Sequence, residues 1–107
     1  MSMRDATYLI LTALAEGRRH GYGVIVEVTR ISDGSVVLRP GTLYGALDRL
    51  TAEGKIQSDG EELVEGRLRR YYVLTDDGLN ALAGETQRRS QQVREAKRVL
   101  RSRGLLA

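Results

Sequence analysis

Cysteine, tryptophan and phenylalanine are all missing from this chain of 107 residues, and it holds a single histidine and a single proline. Without cysteine there can be no disulfide, no thiolate zinc site and no thiol redox chemistry. One histidine, His20, and no convergent carboxylate cluster leave little for nucleophilic, acid–base or metal chemistry, so no enzyme, no metal and no cofactor is expected. No apolar run approaches the ~18 residues that a membrane span requires. No basic segment followed by a long apolar stretch and a cleavage site stands at the N-terminus, and a cytoplasmic protein with no membrane association is the expectation. A one-signed charge is also lacking over most of the chain. Residues 1–75 carry ten basic and ten acidic side chains, so the net +3 comes entirely from residues 76–107, with seven against four. The basic pI is therefore a weak argument for nucleic acid, and any such case rests on where the charges sit.

What is present concentrates in Arg39-Pro40-Gly41-Thr42-Leu43-Tyr44-Gly45-Ala46-Leu47-Asp48-Arg49-Leu50. Leu43, Leu47 and Leu50 recur at helical spacing with Ala46 beside them, which gives one thin inward stripe. Gly41, Tyr44, Gly45, Asp48 and Ala52 fall on the opposite side. Each glycine there costs a helix about 1 kcal/mol relative to alanine. Small residues around a large aromatic make sense if something bulky must approach the backbone, and a nucleic-acid backbone at the start of a recognition helix is such an object.

The rest of the chain is short and well punctuated. Asp5 to Glu16 reads as a helix whose apolar residues Ala6, Leu9, Ile10, Leu11, Ala13 and Leu14 cover half the circumference, a belt wide enough for burial on two sides. Gly17-Arg18-Arg19-His20-Gly21 breaks it. Tyr22 to Ile31 is a second helix with Val24, Val28 and Ile31 inward. Ser32-Asp33-Gly34-Ser35 is a turn, and Pro40 suits the first position of a third helix. Lys55 to Val64 and Leu68 to Leu74 read as two strands joined at Glu65-Gly66-Arg67. Thr75 caps a last helix reaching about Arg103, with Asp76 and Asp77 favourable to its dipole. Three helices, a hairpin and a final helix define an α+β, mostly helical winged helix-turn-helix. Residues 1–75 make up the winged-helix part, expected to bind DNA, and 76–107 the C-terminal helix, expected to dimerise, in one compact unit.

These residues carry a family resemblance. Ile10-Leu11, Leu14 and Gly17, then His20-Gly21-Tyr22-Gly23, Pro40-Gly41-Thr42-Leu43-Tyr44 with Leu47 and Arg49-Leu50, Gly54, and Arg69-Arg70-Tyr71-Tyr72-Val73-Leu74-Thr75 with Gly78 resemble the PadR family of bacterial transcriptional regulators, in the smaller subclass with one C-terminal helix. The resemblance implies a homodimeric repressor of double-stranded DNA. Helix 3 of each subunit enters successive major grooves of a pseudo-palindrome, and each wing touches the flanking backbone. It places Gly41, Thr42 and Tyr44 of helix 3 on DNA; Gly45 shares that outer face, and Arg39 adds a charge beside the groove. Tyr22 takes a phosphate, and Arg67, Arg69 and Arg70 serve the wing. Two departures stand out: Arg39 where the family often has a small hydroxyl residue, and Leu68 where proline is common at the wing tip.

Each of these has a plainer reading. Tyr44 could pack on a loop, and the wing arginines could pair with Glu61, Glu62 and Glu65. His20 reads as structural, and Gly21-x-Gly23 lacks the third glycine of a dinucleotide fingerprint. A heptad frame through Leu79, Leu82, Thr86, Arg89, Val93, Ala96 and Leu100 is polar in its middle, a poor coiled coil by itself. It reads better as packing against helix 1 of a partner subunit, with Leu9, Leu11, Leu79, Leu82, Val93 and Leu100 in the dimer interface. The resemblance also implies a small-molecule effector near that interface. With Arg89 mid-seam and no Trp or Phe to sandwich a flat ligand, an anionic effector is the expectation. The alternative function is a winged-helix module that docks an acidic protein through its basic last helix.

Overall fold

The computed structural model describes residues 3–107. In chain order the elements are α1 (Asp5–Ala15), β1 (Arg19–His20), α2 (Gly21–Ile31), α3 (Pro40–Ala52), β2 (Ile56–Val64), β3 (Arg67–Leu74) and α4 (Asp76–Ser102). Three helices pack around Ile10, Leu11, Ala13, Leu14, Val24, Val28, Leu38, Leu43, Leu47 and Leu50, which Ile56 and Tyr72 close from the sheet side. The inward stripes of α2 and α3 are those the helical period predicts, because side chains three and four apart share a face.

The sheet is larger than the sequence implies. Arg19–His20, expected only to break the helical pattern, pairs antiparallel with β3 (Arg19 opposite Tyr72, His20 opposite Tyr71), giving the order β1-β3-β2. The wing is thereby anchored along one side, since β3 becomes a central strand. Its turn is the two-residue Glu65-Gly66, both at positive φ (50° and 77°). That is the backbone a tight two-residue hairpin needs to match strand twist. Leu68, in place of proline, pairs directly with Leu63 next to this turn. Lower in the wing, Asp59 and Gly60 interrupt the register between Ser58 and Glu61, with Gly60 at φ 89°. Such a bulge bends and twists the hairpin.

The belt on α1 is accounted for mostly within one chain. Ile10, Leu11 and Ala13 are wholly buried, whereas Leu9 is half-buried. Leu11 is therefore a core residue and has no surface left to offer a partner subunit, contrary to its expected place in the dimer interface.

Thr75 caps α4 as expected, its hydroxyl accepting from the Gly78 amide at 3.1 Å. Gly78 lies against the strand: a β-carbon there would stand 2.0 Å from the Lys55 carbonyl oxygen. The helix then leaves the body, and from Gln91 to Ala107 every residue is exposed. This overhang gives the chain its extents of 57 × 27 × 21 Å.

Candidate nucleic-acid interface

Pro40 at the first turn of α3 lacks an N–H, and Arg39, the residue before the helix, offers no side-chain cap. The first amides of the helix therefore face outward with no intrahelical partner, as at any helix start. Gly41, Thr42, Tyr44, Gly45 and Asp48 are all exposed along the side opposite Leu43, Leu47 and Leu50. A β-carbon at Gly41 or at Gly45 would meet nothing within 4 Å. Packing within the chain thus gives no reason for glycine at either place.

Tyr44 is 47% exposed and leans on the start of α2. A β-carbon at Gly21 would come within 2.6 Å of its hydroxyl oxygen. The plainer reading of Tyr44 holds in part: one edge of the ring is braced by the body, and the rest is open. Tyr22, one residue on, is exposed and stacks parallel to His20 with ring centroids 6.5 Å apart. His20 has the structural role expected of it. Its Nδ1 accepts from the Gly23 amide at 3.1 Å and so caps α2. Burial first, and the Arg69 guanidinium next, hold its pKa below the ordinary value, so the imidazole is neutral near pH 7.

The wing arginines are not equivalent. Arg70 pairs with Glu61 at 3.6 Å. Arg69 is half-buried with its guanidinium 3.4 Å from His20 Nε2. Arg67, beside the turn, is exposed and has no ion-pair partner among the described residues. Pairing with the wing's own carboxylates therefore describes Arg70 but not Arg67. Sequence reasoning missed the group that anchors the wing root. The Arg18 guanidinium sits 3.7 Å over the Tyr71 ring and bridges to Asp59 at 3.1 Å, while the Tyr71 hydroxyl donates to Glu62 at 2.9 Å. The only sequence signal for it is the run of arginines before Gly21.

On α4, Leu79, Val93 and Leu100 are exposed, while Leu82 is partly buried against the core. Leu79, Leu82, Ala83, Thr86, Gln87, Ser90 and Arg94 line an open groove of about 570 Å³ on this side. Arg89 does not stand free in a seam. It donates to Glu85 (2.8 Å), Asp5 (2.9 Å) and the Met3 carbonyl (2.8 Å), and lies over the Tyr8 ring. Two carboxylates already compensate its charge, which removes the basis for an anionic effector there.

An exposed third helix that forms a helix-turn-helix pair with α2, and a hairpin wing on a shared core, define a winged helix-turn-helix protein. The profile of the transcriptional regulator PadR-like family matches residues 10–84. The chain belongs to that family. A transcriptional regulator of Mycobacterium tuberculosis, Rv3488, is 35% identical over 86 residues, covering 80% of this chain and 77% of that protein. An uncharacterised 37.1 kDa protein of a Streptomyces fradiae transposon is 38% identical over 85 residues, 79% of this chain, which spans only 23% of that longer protein. Among solved structures, a Clostridium difficile PadR-family regulator superposes with a TM-score of 0.64 at 28% identity, covering 92% of this chain and 97% of its own. Bacillus subtilis PadR in complex with operator DNA superposes at 0.67 with 26% identity, over 76% of this chain and 46% of its own. The Mycobacterium and Clostridium relatives are regulators, and no helix among the described residues is long and apolar enough to cross a membrane.

Proposed function

We propose that this regulator is a homodimeric repressor that binds a pseudo-palindromic operator through α3 and the wing. The observation that carries the reading is the outer face of α3, where Gly41 and Gly45 flank an exposed Tyr44 with no packing reason for either glycine. A phosphate backbone closing on that face supplies the reason. Gly41, Thr42, Tyr44 and Gly45 then lie against the major groove beside Arg39, with Tyr22 on a phosphate and Arg67, Arg69 and Arg70 toward the flanking backbone. Bacillus subtilis PadR, related over the same helices, was solved on operator DNA, which supports this assignment. Residues 1–75 serve as the DNA-binding part and 76–107 as the dimerising part. The uncovered apolar positions Leu79, Val93 and Leu100, with Leu82 and Leu9 at the margin of the core, form the interface. Two-fold symmetry sets half-sites roughly 34–36 Å apart. Such a protein works in the cytoplasm. No effector at Arg89 belongs to this reading.

The test is a mobility shift on the DNA upstream of the coding region, repeated between about 50 and 200 mM salt, where several phosphate contacts give a steep loss of affinity. A specific shift that Tyr44→Ala abolishes, with the dimer intact, supports the reading. No shift at low salt on any candidate operator would favour the docking module, with the basic distal part of α4 as its contact surface.

A further inference from the structure

The overhanging helix meets the body along one side, through Gly78, then Leu82 packed on the core, then a polar group at Glu85 and Arg89. At its start Gly78 is pressed under the Lys55 carbonyl and the Thr75 hydroxyl donates to the Gly54 carbonyl at 2.6 Å. The polar group lies two to three turns on. Glu85 is 3% exposed and accepts from Arg88 and, at 2.8 Å, from Arg89 Nε. Arg89 Nη1 and Nη2 reach Asp5 and the Met3 carbonyl at the start of α1, and its guanidinium covers the Tyr8 ring at 4.2 Å. The Tyr8 hydroxyl and Thr86 Oγ1 close the group at 2.8 Å. The contacts at the two ends of this stretch, with Leu82 between them, fix the direction of a rod. The two ends are eleven residues apart, ~16 Å of helix, and ~20 Å more extends beyond the second.

We propose that Glu85, Arg89, Tyr8, Thr86 and Asp5 form a rigid joint that sets the angle of α4 to the winged-helix body and thereby the half-site spacing the dimer accepts. The inference rests on the dimeric operator-binding reading given above. None of the five residues lies on the outer face of α3 or on the wing, so they are positioning residues. Replacing a buried ion pair by apolar packing is often neutral or stabilising, which directs attention to what the Glu85–Arg89 pair does for geometry. The lever makes the geometry matter. A rotation of about 10° at the joint moves the far end of α4 by roughly 3.5 Å, close to the ~3.4 Å rise of one base pair.

The experiment uses the full chain with Glu85→Gln, Arg89→Lys and the milder Tyr8→Phe, which keeps the ring over the guanidinium and removes only the hydroxyl bond. Each is titrated on operators whose half-site spacing differs by single base pairs, and on an isolated half-site. The expected result is that discrimination between the best spacing and its neighbours falls at least about fivefold while half-site affinity stays within about twofold. Retained discrimination, or a parallel loss on the half-site, overturns the proposal. A second readout needs no DNA. Because the chain has no cysteine, Val37→Cys and Glu95→Cys, both at exposed positions, take spin labels that report the angle of α4 within one chain diluted in unlabelled protein. The distance distribution should be narrow in the parent and at least about twice as wide in Glu85→Gln; equal widths overturn the joint itself. A parent that binds no duplex at low salt overturns the operator reading and the spacing claim together, and the label widths still judge the joint.

Discussion

The Tyr44 hydroxyl occupies the space that a side chain on Gly21 would need: a β-carbon there would fall 2.6 Å from the oxygen. The first residue of α2 and the exposed ring of α3 are thus fitted to each other. Gly21→Ala should swing Tyr44 outward, because the clash is with the end of a movable side chain. Fold stability should change by less than about 1 kcal/mol, since alanine suits a helix better than glycine. Operator affinity should fall about tenfold, ~1.4 kcal/mol. Thermal melting and fluorescence anisotropy on the same sample separate the two, and unchanged affinity would mean that the pose of Tyr44 is irrelevant to DNA.

Gly78→Ala behaves in the opposite way. Its β-carbon meets the backbone carbonyl of Lys55 at 2.0 Å, which cannot rotate aside. The start of α4 must shift at a cost of about 1–3 kcal/mol. The midpoint of urea unfolding should drop accordingly, with the slope unchanged.

Gly41→Ala and Gly45→Ala should stabilise the chain and weaken it as a DNA binder. Open space around both positions lets alanine add roughly 0.5–1 kcal/mol of helix stability each. A higher melting temperature with a lower operator affinity is the signature. A higher melting temperature with affinity intact would disqualify the outer face of α3 as the contact surface.

Within the wing, Arg67→Ala should reduce the salt dependence of binding more than Arg70→Ala does. Each phosphate that a subunit no longer neutralises lowers the slope of log K against log salt by about 0.9. Arg67 has no ion-pair partner among the described residues, whereas Arg70 shares its charge with Glu61 at 3.6 Å. Glu61→Gln should accordingly raise affinity at low salt.

Acid should reveal the Glu85 pairing. Hydrogen bonds from Arg89 and then Arg88 hold its carboxyl down to about 2, against an ordinary 4.5. The folded pKa is the lower one, so the unfolded chain takes up the proton first. The stability this group contributes is present above about 4.5 and disappears as pH falls toward about 2. Melting curves of the parent and Glu85→Gln should converge over that interval. A constant gap between them would show that the ionised form of Glu85 adds nothing to stability.

Much of this architecture is legible in the chain because period alone separates its parts. Leu43, Leu47 and Leu50 mark one face of α3, and the change to alternation after Gly54 marks the wing. What stays hidden depends on distance in sequence. Arg19–His20 is too short to show a period, and its partners Tyr71 and Tyr72 lie some fifty residues away. The α1 belt reveals that Leu9 and Leu11 are both apolar, but not that only Leu11 is used up by its own core. Arg89 is the instructive case. The Glu85–Arg89 spacing of four announces a helical ion pair, yet Asp5 and Tyr8 join it only through folding. The outer face of α3 is legible for a different reason: its glycines contradict helix propensity, and such contradictions gather where a molecule does its work.

The bare end of α4 has one more consequence. Between Gln91 and Ser102 the helix has twelve exposed residues and no tertiary support of its own. Isolated helices shorter than ~12–15 residues are marginal in water. On the dimeric reading proposed above, ordering this segment and joining two chains become coupled, and its helicity then follows dilution. On that reading, operator occupancy follows the square of chain number at low abundance, and a modest fall in synthesis releases the operator sharply.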